Sequence, residues 1–265
     1  VRRDRHRGVY LLPSLLTIGN LLCGVYAIVA VYNGEYSRSA AAILFALILD
    51  GLDGAVARLT SSQSDFGMQL DSLADLVSFG VAPAILSYAW AIKPFSQIGW
   101  LFGSIIPTAL YVSSGAFRLA RFNVQTRVLD KRYFVGLPIP AAASVIASFI
   151  LFMGDSPSLV LFQRELLPAR LTSALVVVIV YGLSFLMVSR LRYRSLKGLE
   201  IRKRQPFALL IGLTLVVLVT AAQPSLVAFS FFTLYALSGI VRTIPVIHRR
   251  IPEPVEQATG GEGRP

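Results

Sequence analysis

Cysteine and histidine are nearly absent from this chain: 265 residues hold one cysteine and two histidines. Cys23 alone can form no internal disulfide, so redox compartment cannot be read from it. It lies inside an apolar run, while His6 and His248 sit near the ends of the chain. A cysteine nucleophile activated by a histidine is therefore a poor expectation, and Cys23 reads as packing. Charge is scarce as well. Only 15% of residues are charged, against about 25% in an ordinary soluble domain, while 55% are hydrophobic and the mean hydropathy is +0.66. A soluble fold of this length would need more polar surface than that. Acids are the scarcer sign, 14 against 25 bases, for a formal net charge of +11. On a soluble protein that balance would point to nucleic acid. Here the bases stand in short clusters between apolar runs, which is the pattern of membrane orientation, and no nucleic-acid partner is expected.

What the chain does have is long apolar runs of the length that crosses a bilayer, about 20 residues each. Eight are expected, at 11–32, 38–59, 71–92, 98–120, 137–154, 171–189, 206–223 and 225–246. The first follows a basic N-terminus and is too long for the apolar part of a signal peptide, about 7–15 residues, so it reads as a retained helix. The fold expected is all-α, a polytopic transmembrane bundle over residues 1–250, with a disordered tail at 251–265 rich in Gly, Glu and Pro. Alternate connections carry 21 of the 25 basic residues, and the opposite ones hold only Arg38, Lys93, Arg164 and Arg170. The positive-inside rule then places both termini in the cytoplasm, as an even number of spans also requires. The expected location is the cytoplasmic membrane.

Four of the acids lie in or beside apolar runs: Asp50, Asp53, Asp71 and Asp75. A carboxylate at membrane depth is costly and needs a partner or a wet cavity, and Arg58 is the one base close in sequence. Metal cations are the natural compensation, and hard oxygen ligands suit Mg²⁺, Mn²⁺ or Ca²⁺. Asp50 and Asp53 stand at i, i+3, on one face of the helix that ends the second span. Asp71 and Asp75 stand at i, i+4, on one face of the helix that starts the third. The short polar loop 60–65 would return the chain so that the two faces meet near the cytoplasmic surface. Two divalent ions about 3.5–4 Å apart form a clamp for phosphoryl chemistry.

Small residues share this stretch: Gly51, Gly54, Ala57 and Gly67. They either allow close helix–helix packing or leave room for a nucleotide against the backbone, with Arg58 paired to a diphosphate. Asp50-Gly51-Leu52-Asp53-Gly54-Ala55-Val56-Ala57-Arg58, then Gly67, Asp71 and Asp75, resembles the signature of the CDP-alcohol phosphotransferases, with every fixed position at its spacing. The resemblance implies that Asp50, Asp53, Asp71 and Asp75 hold a pair of divalent metal ions. It further implies that Asp75 is also the general base, and that Gly54, Ala57, Arg58 and Gly67 contact the CDP moiety. A six-helix core and a homodimer are implied too; this chain would add two helices at its C-terminal end.

Other segments are similar to phosphatidylserine synthases within that family: 13–24, Phe117-Arg118-Leu119-Ala120-Arg121-Phe122-Asn123, 134–142 and 187–195. Ser14 departs from the asparagine that commonly follows the proline there. The resemblance implies CDP-diacylglycerol as donor, L-serine as acceptor and membrane lipid as the surroundings. Arg118 and Arg121 could bind the serine carboxylate or serve as positive-inside anchors. Asn20, a buried amide in the first span, could touch the acceptor or bond to a neighbouring helix. The same family offers other acceptors, glycerol 3-phosphate or inositol phosphate, and an archaeal ether-lipid donor. A cation transporter would place its acids near the midplane of two related halves. Here they cluster toward one membrane face, in one half only, and a scaffold protein would leave four costly aspartates without a use.

Overall fold

The computed structural model describes residues 5–60, 64–93, 105–125, 133–161, 164–189, 191–194 and 223–248. Among these are seven helices: α1 (Arg5–Tyr32), α2 (Tyr36–Leu59), α3 (Asp65–Ile92), α4 (Ile106–Gln125), α5 (Ile139–Met153), α6 (Ala169–Val188) and α7 (Pro224–His248). Six of the eight expected spans coincide with a helix to within six residues at each end. The fourth, 98–120, begins partly outside the described residues and its helix runs on to Gln125. The span expected at 206–223 and the tail at 251–265 also lie outside them. Two minimal antiparallel strand pairs tie connections together: β1 (Tyr133–Val135) with β4 (Arg192–Arg194), and β2 (Leu159–Leu161) with β3 (Arg164–Leu167).

α1 and α2 form a tight hairpin. Gly34 takes φ +78°, a conformation open to glycine, and the turn closes with Gly34 N–H donating to Val31 O (3.0 Å) and Glu35 N–H to Ala30 O (2.9 Å). The two helices pack along their length, and α3 lies against α1. α5 is buried on every side, as a helix apolar all round should be, and packs against α2 and α7. Ala141, Ala142, Ala143 and Ala147 let those neighbours approach closely, which is how helices associate where burial from water offers little. The hydroxyls of Ser144 and Ser184 are satisfied within their own helices, by Pro140 O and Val180 O, each at 2.7 Å. An aromatic line joins α3, α5 and α7. Trp90 meets Phe149 edge-on at 6.2 Å and Phe149 lies 5.2 Å from Phe229.

The outer faces are apolar. Leu22, Val25 and Val29 on α1, Phe45 and Ile48 on α2 and Val178 and Phe185 on α6 are exposed, more contiguous apolar surface than a water-soluble monomer carries. Pro13–Tyr32, Tyr36–Leu59, Asp65–Ile92 and Ala169–Val188 are each long and apolar enough to cross a bilayer, whereas Ile139–Met153 and Pro224–Gly239 are shorter apolar helices. The chain has the character of a membrane protein.

One local expectation needs correction. The third span begins earlier than 71: Asp65 is helical, not part of the loop, because the Ser64 hydroxyl caps α3 by accepting from Gly67 N–H at 3.0 Å. And α3 is not one regular helix. Leu76–Val81 and Tyr88–Ile92 are π-helical. Pro83 supplies no N–H to the Phe79 carbonyl four residues back, and that carbonyl instead accepts from the buried Tyr111 hydroxyl of α4 at 3.2 Å.

Candidate active site

The short return between α2 and α3 brings the four aspartates together. One carboxylate oxygen from each of Asp50, Asp53 and Asp71 lies within 4.8 Å of the others. Asp75, one turn beyond Asp71, lies within electrostatic reach of Asp50, Asp71 and Asp53, and Asp53 and Asp75 are buried at 5% and 8% exposure. Carboxylates gathered this closely repel one another unless a proton or a cation compensates them. The Asp71 Oδ1 atom is buried with no hydrogen-bond partner, and no ion pair among the described residues involves the four aspartates. Hard, unneutralised oxygens of this kind fit a divalent cation.

α1 supports the cluster from the side. The Thr17 hydroxyl sits at 2.9 Å from Asp53 Oδ2 and at 3.1 Å from its own helix's Pro13 O. One turn on, Asn20 Nδ2 donates to Asp75 Oδ1 at 3.2 Å, and the Asn20 carbonyl accepts from Ser78 Oγ at 2.8 Å. Gly24, the next turn, faces Ser78 so closely that a Cβ would run into both its side chain and its backbone. Of the two roles open to Asn20, bonding to a neighbouring helix is therefore present, and its partner is the proposed base. Thr17 and Ser78 were missed as supporting residues. Their signal was a threonine and an asparagine at i, i+3 in an otherwise apolar helix.

The small residues divide. At Gly51 an added Cβ would meet nothing within 4 Å, so close helix packing does not explain it. At Gly54 it would come to 3.3 Å from an Arg58 guanidinium nitrogen: Arg58, exposed at the end of α2, folds back over Gly54 beside the cluster. Ala57 is half-buried on the same helix. Gly67 has a structural use, since a Cβ there would crowd the capping Ser64 hydroxyl at 3.1 Å.

Arg118 and Arg121 were expected at the end of the fourth span. They lie inside α4 instead, which continues to Gln125. Arg118 turns inward: its Nε is buried without a hydrogen-bond partner, and its guanidinium is within electrostatic reach of Asp75 and of Tyr235 on α7. Arg121 is half-buried one turn on. Asn123 ties the same end of α4 to α3, its Nδ2 donating to Ser72 Oγ at 2.9 Å. A separate groove of about 530 Å³ lies toward the Gly34 end of the α1–α2 hairpin, lined by Leu22, Cys23, Tyr26 and Arg38 among others. It holds none of the aspartates, so the chemistry belongs to the other end.

Residues 10–181 match the family model described as CDP-alcohol phosphatidyltransferase. The chain is 36% identical over 236 residues to a Helicobacter pylori protein, the CDP-diacylglycerol–serine O-phosphatidyltransferase of strain J99, covering 89% of this chain and 92% of that protein. It is 33% identical over 186 residues to the Bacillus subtilis protein of the same description, covering 70% and 91%. To the archaetidylserine synthase of Methanothermobacter thermautotrophicus it is 38% identical over 190 residues, 71% of each chain.

Proposed function

The chain belongs to the CDP-alcohol phosphatidyltransferase family, and from that premise we propose that it transfers a phosphatidyl group from CDP-diacylglycerol to the hydroxyl of L-serine, releasing CMP. The observation that carries the reading is the meeting of carboxylate oxygens from α2 and α3 within 4.8 Å, with a buried Asp71 oxygen that no protein group satisfies. Asp50, Asp53, Asp71 and Asp75 would hold the divalent metal ions, two of them, of the Mg²⁺ or Mn²⁺ kind, with Ca²⁺ able to substitute. Bound there, the ions supply neutralisation of the diphosphate and of charge that builds in the transition state.

The rest falls to the chain's own side chains. Arg58, folded over Gly54, pairs with the diphosphate, and Gly54, Ala57 and Gly67 keep that approach low for the cytidine nucleotide. Asp75 takes the proton from the serine hydroxyl. The serine oxygen then bonds to the phosphorus that carries diacylglycerol, the bond from that phosphorus to the CMP oxygen breaks, and CMP leaves. Asn20 holds one Asp75 oxygen, and the proton goes to the other. Arg118 faces the serine carboxylate, with Arg121 behind it. No covalent enzyme intermediate is needed.

Serine is favoured over glycerol 3-phosphate or inositol phosphate because the bacterial and the archaeal relatives both carry serine in their descriptions. The archaeal likeness keeps an ether-lipid donor as the second reading. The site opens to the cytoplasmic face of the cell membrane, with both termini on that side and eight spans in all, and the enzyme works as a homodimer. The test is CMP release by the purified protein with CDP-diacylglycerol and Mn²⁺ or Mg²⁺, against serine, glycerol 3-phosphate and inositol phosphate. Serine-dependent release is expected, and release with another acceptor but not serine rejects the assignment.

A further inference from the structure

Asn20 has no exposed surface, and its polar groups are unequally used. Nδ2 donates to Asp75 Oδ1 and the backbone carbonyl accepts from Ser78 Oγ, but the side-chain Oδ1 is buried with no partner. Chemistry sets the orientation of the amide: turned the other way, its oxygen would face a carboxylate, acceptor against acceptor. An unpaired buried oxygen is a standing cost. It is not general to this helix, since the hydroxyl of Thr17 one turn away has acceptors within reach at 2.9 and 3.1 Å. Asp75 has a second neighbour with an unmet group, the buried and unpartnered Nε of Arg118, whose guanidinium lies within electrostatic reach of that carboxylate. Asp75 is thus flanked by one unpaired acceptor and one unpaired cationic donor.

We infer that Asn20 is a specificity-determining residue whose Oδ1 accepts a hydrogen bond from the ammonium group of a zwitterionic hydroxy amino acid. In serine, two carbons separate the hydroxyl from the ammonium. A hydroxyl delivered to Asp75 therefore brings the ammonium to the side chain that Asp75 already bonds. The inference rests on the serine transfer proposed above and adds the group that reads the amine.

The experiment compares L-serine with 3-hydroxypropanoate, which keeps hydroxyl and carboxylate and lacks the amine, in wild-type enzyme and in Asn20→Leu. Wild type is expected to favour serine by about ten- to a hundredfold in kcat/KM, the worth of a hydrogen bond to a charged group. In Asn20→Leu that ratio should collapse toward one, chiefly through KM for serine. If both acceptors lose activity by the same factor, Asn20 merely orients Asp75 and the inference is overturned. Should the variant fail to fold in detergent, the wild type alone decides: discrimination below tenfold overturns the inference, and tenfold or more supports it. Wild-type enzyme that releases CMP with glycerol 3-phosphate and not with serine rejects the proposed acceptor instead.

Discussion

Thr17 and Asp53, thirty-six residues apart, meet at 2.9 Å through hydroxyl and carboxylate, and this bond fixes one of the four acids before any ligand arrives. A carboxylate held in place loses less freedom when it takes up a cation, so α1 acts as a splint for the chemistry of α2 and α3. Thr17→Val keeps the shape and removes the donor. We expect the Mn²⁺ concentration for half-maximal activity to rise about three- to tenfold, the worth of roughly 1 kcal/mol. Thr17→Ser should stay near wild type. Unchanged metal dependence in Thr17→Val would mean that the bond serves packing alone.

Asp75 carries the proton transfer in the proposed reaction. Asp75→Asn keeps a side chain that can still meet Asn20 but cannot act as a base. CMP release with serine should fall by at least about a hundredfold, while the variant keeps the wild-type elution volume and helical circular dichroism. Near-normal turnover would reject the role.

Metal removal tests the cluster both by turnover and by a thermal readout that does not depend on it. Chelation should abolish CMP release, and Mn²⁺ or Mg²⁺ should restore it. The same ions should raise the wild-type melting temperature in detergent by roughly 5 °C at saturation. Asp71→Asn withdraws the buried unpaired oxygen and should lose most of that thermal shift. A shift of wild-type size in Asp71→Asn would place the cation elsewhere.

Gly136 precedes α5 with φ +86°, and its N–H donates to Leu191 O at 2.9 Å. A Cβ there would strike the Met187 carbonyl, so this glycine lets the β1–β4 clasp close over the end of α6. Gly136→Ala combines a left-handed conformation with a backbone clash and should cost about 1–3 kcal/mol. The check is a melting temperature lowered by several degrees with KM for both substrates unchanged.

Much of the helical frame was legible in the amino-acid order, because apolar runs of bilayer length have few other uses. The aspartates were legible for a related reason: their i, i+3 and i, i+4 spacings, either side of a short polar loop, allow few arrangements other than facing one another. The bounds of α3 were less so. Asp65 looks like loop until the Ser64 hydroxyl is seen to cap Gly67, and the π-helical turns within the third span were not anticipated, although Pro83 removes the donor for Phe79. Tyr111 closes that gap from another helix, and no periodicity in the chain announces it.

Chain order by itself determined which residues carry charge, where apolar segments start and stop, and which acids share a helix face, since these follow from covalent neighbours and helical repeat alone. Only tertiary structure decided that Asn20 spends its amide nitrogen on Asp75 and leaves its oxygen unpaired, that Arg118 turns inward, and that Arg58 folds over Gly54. Those outcomes depend on which atoms from distant segments reach one another within about 3 Å, a condition set by the packing of whole helices.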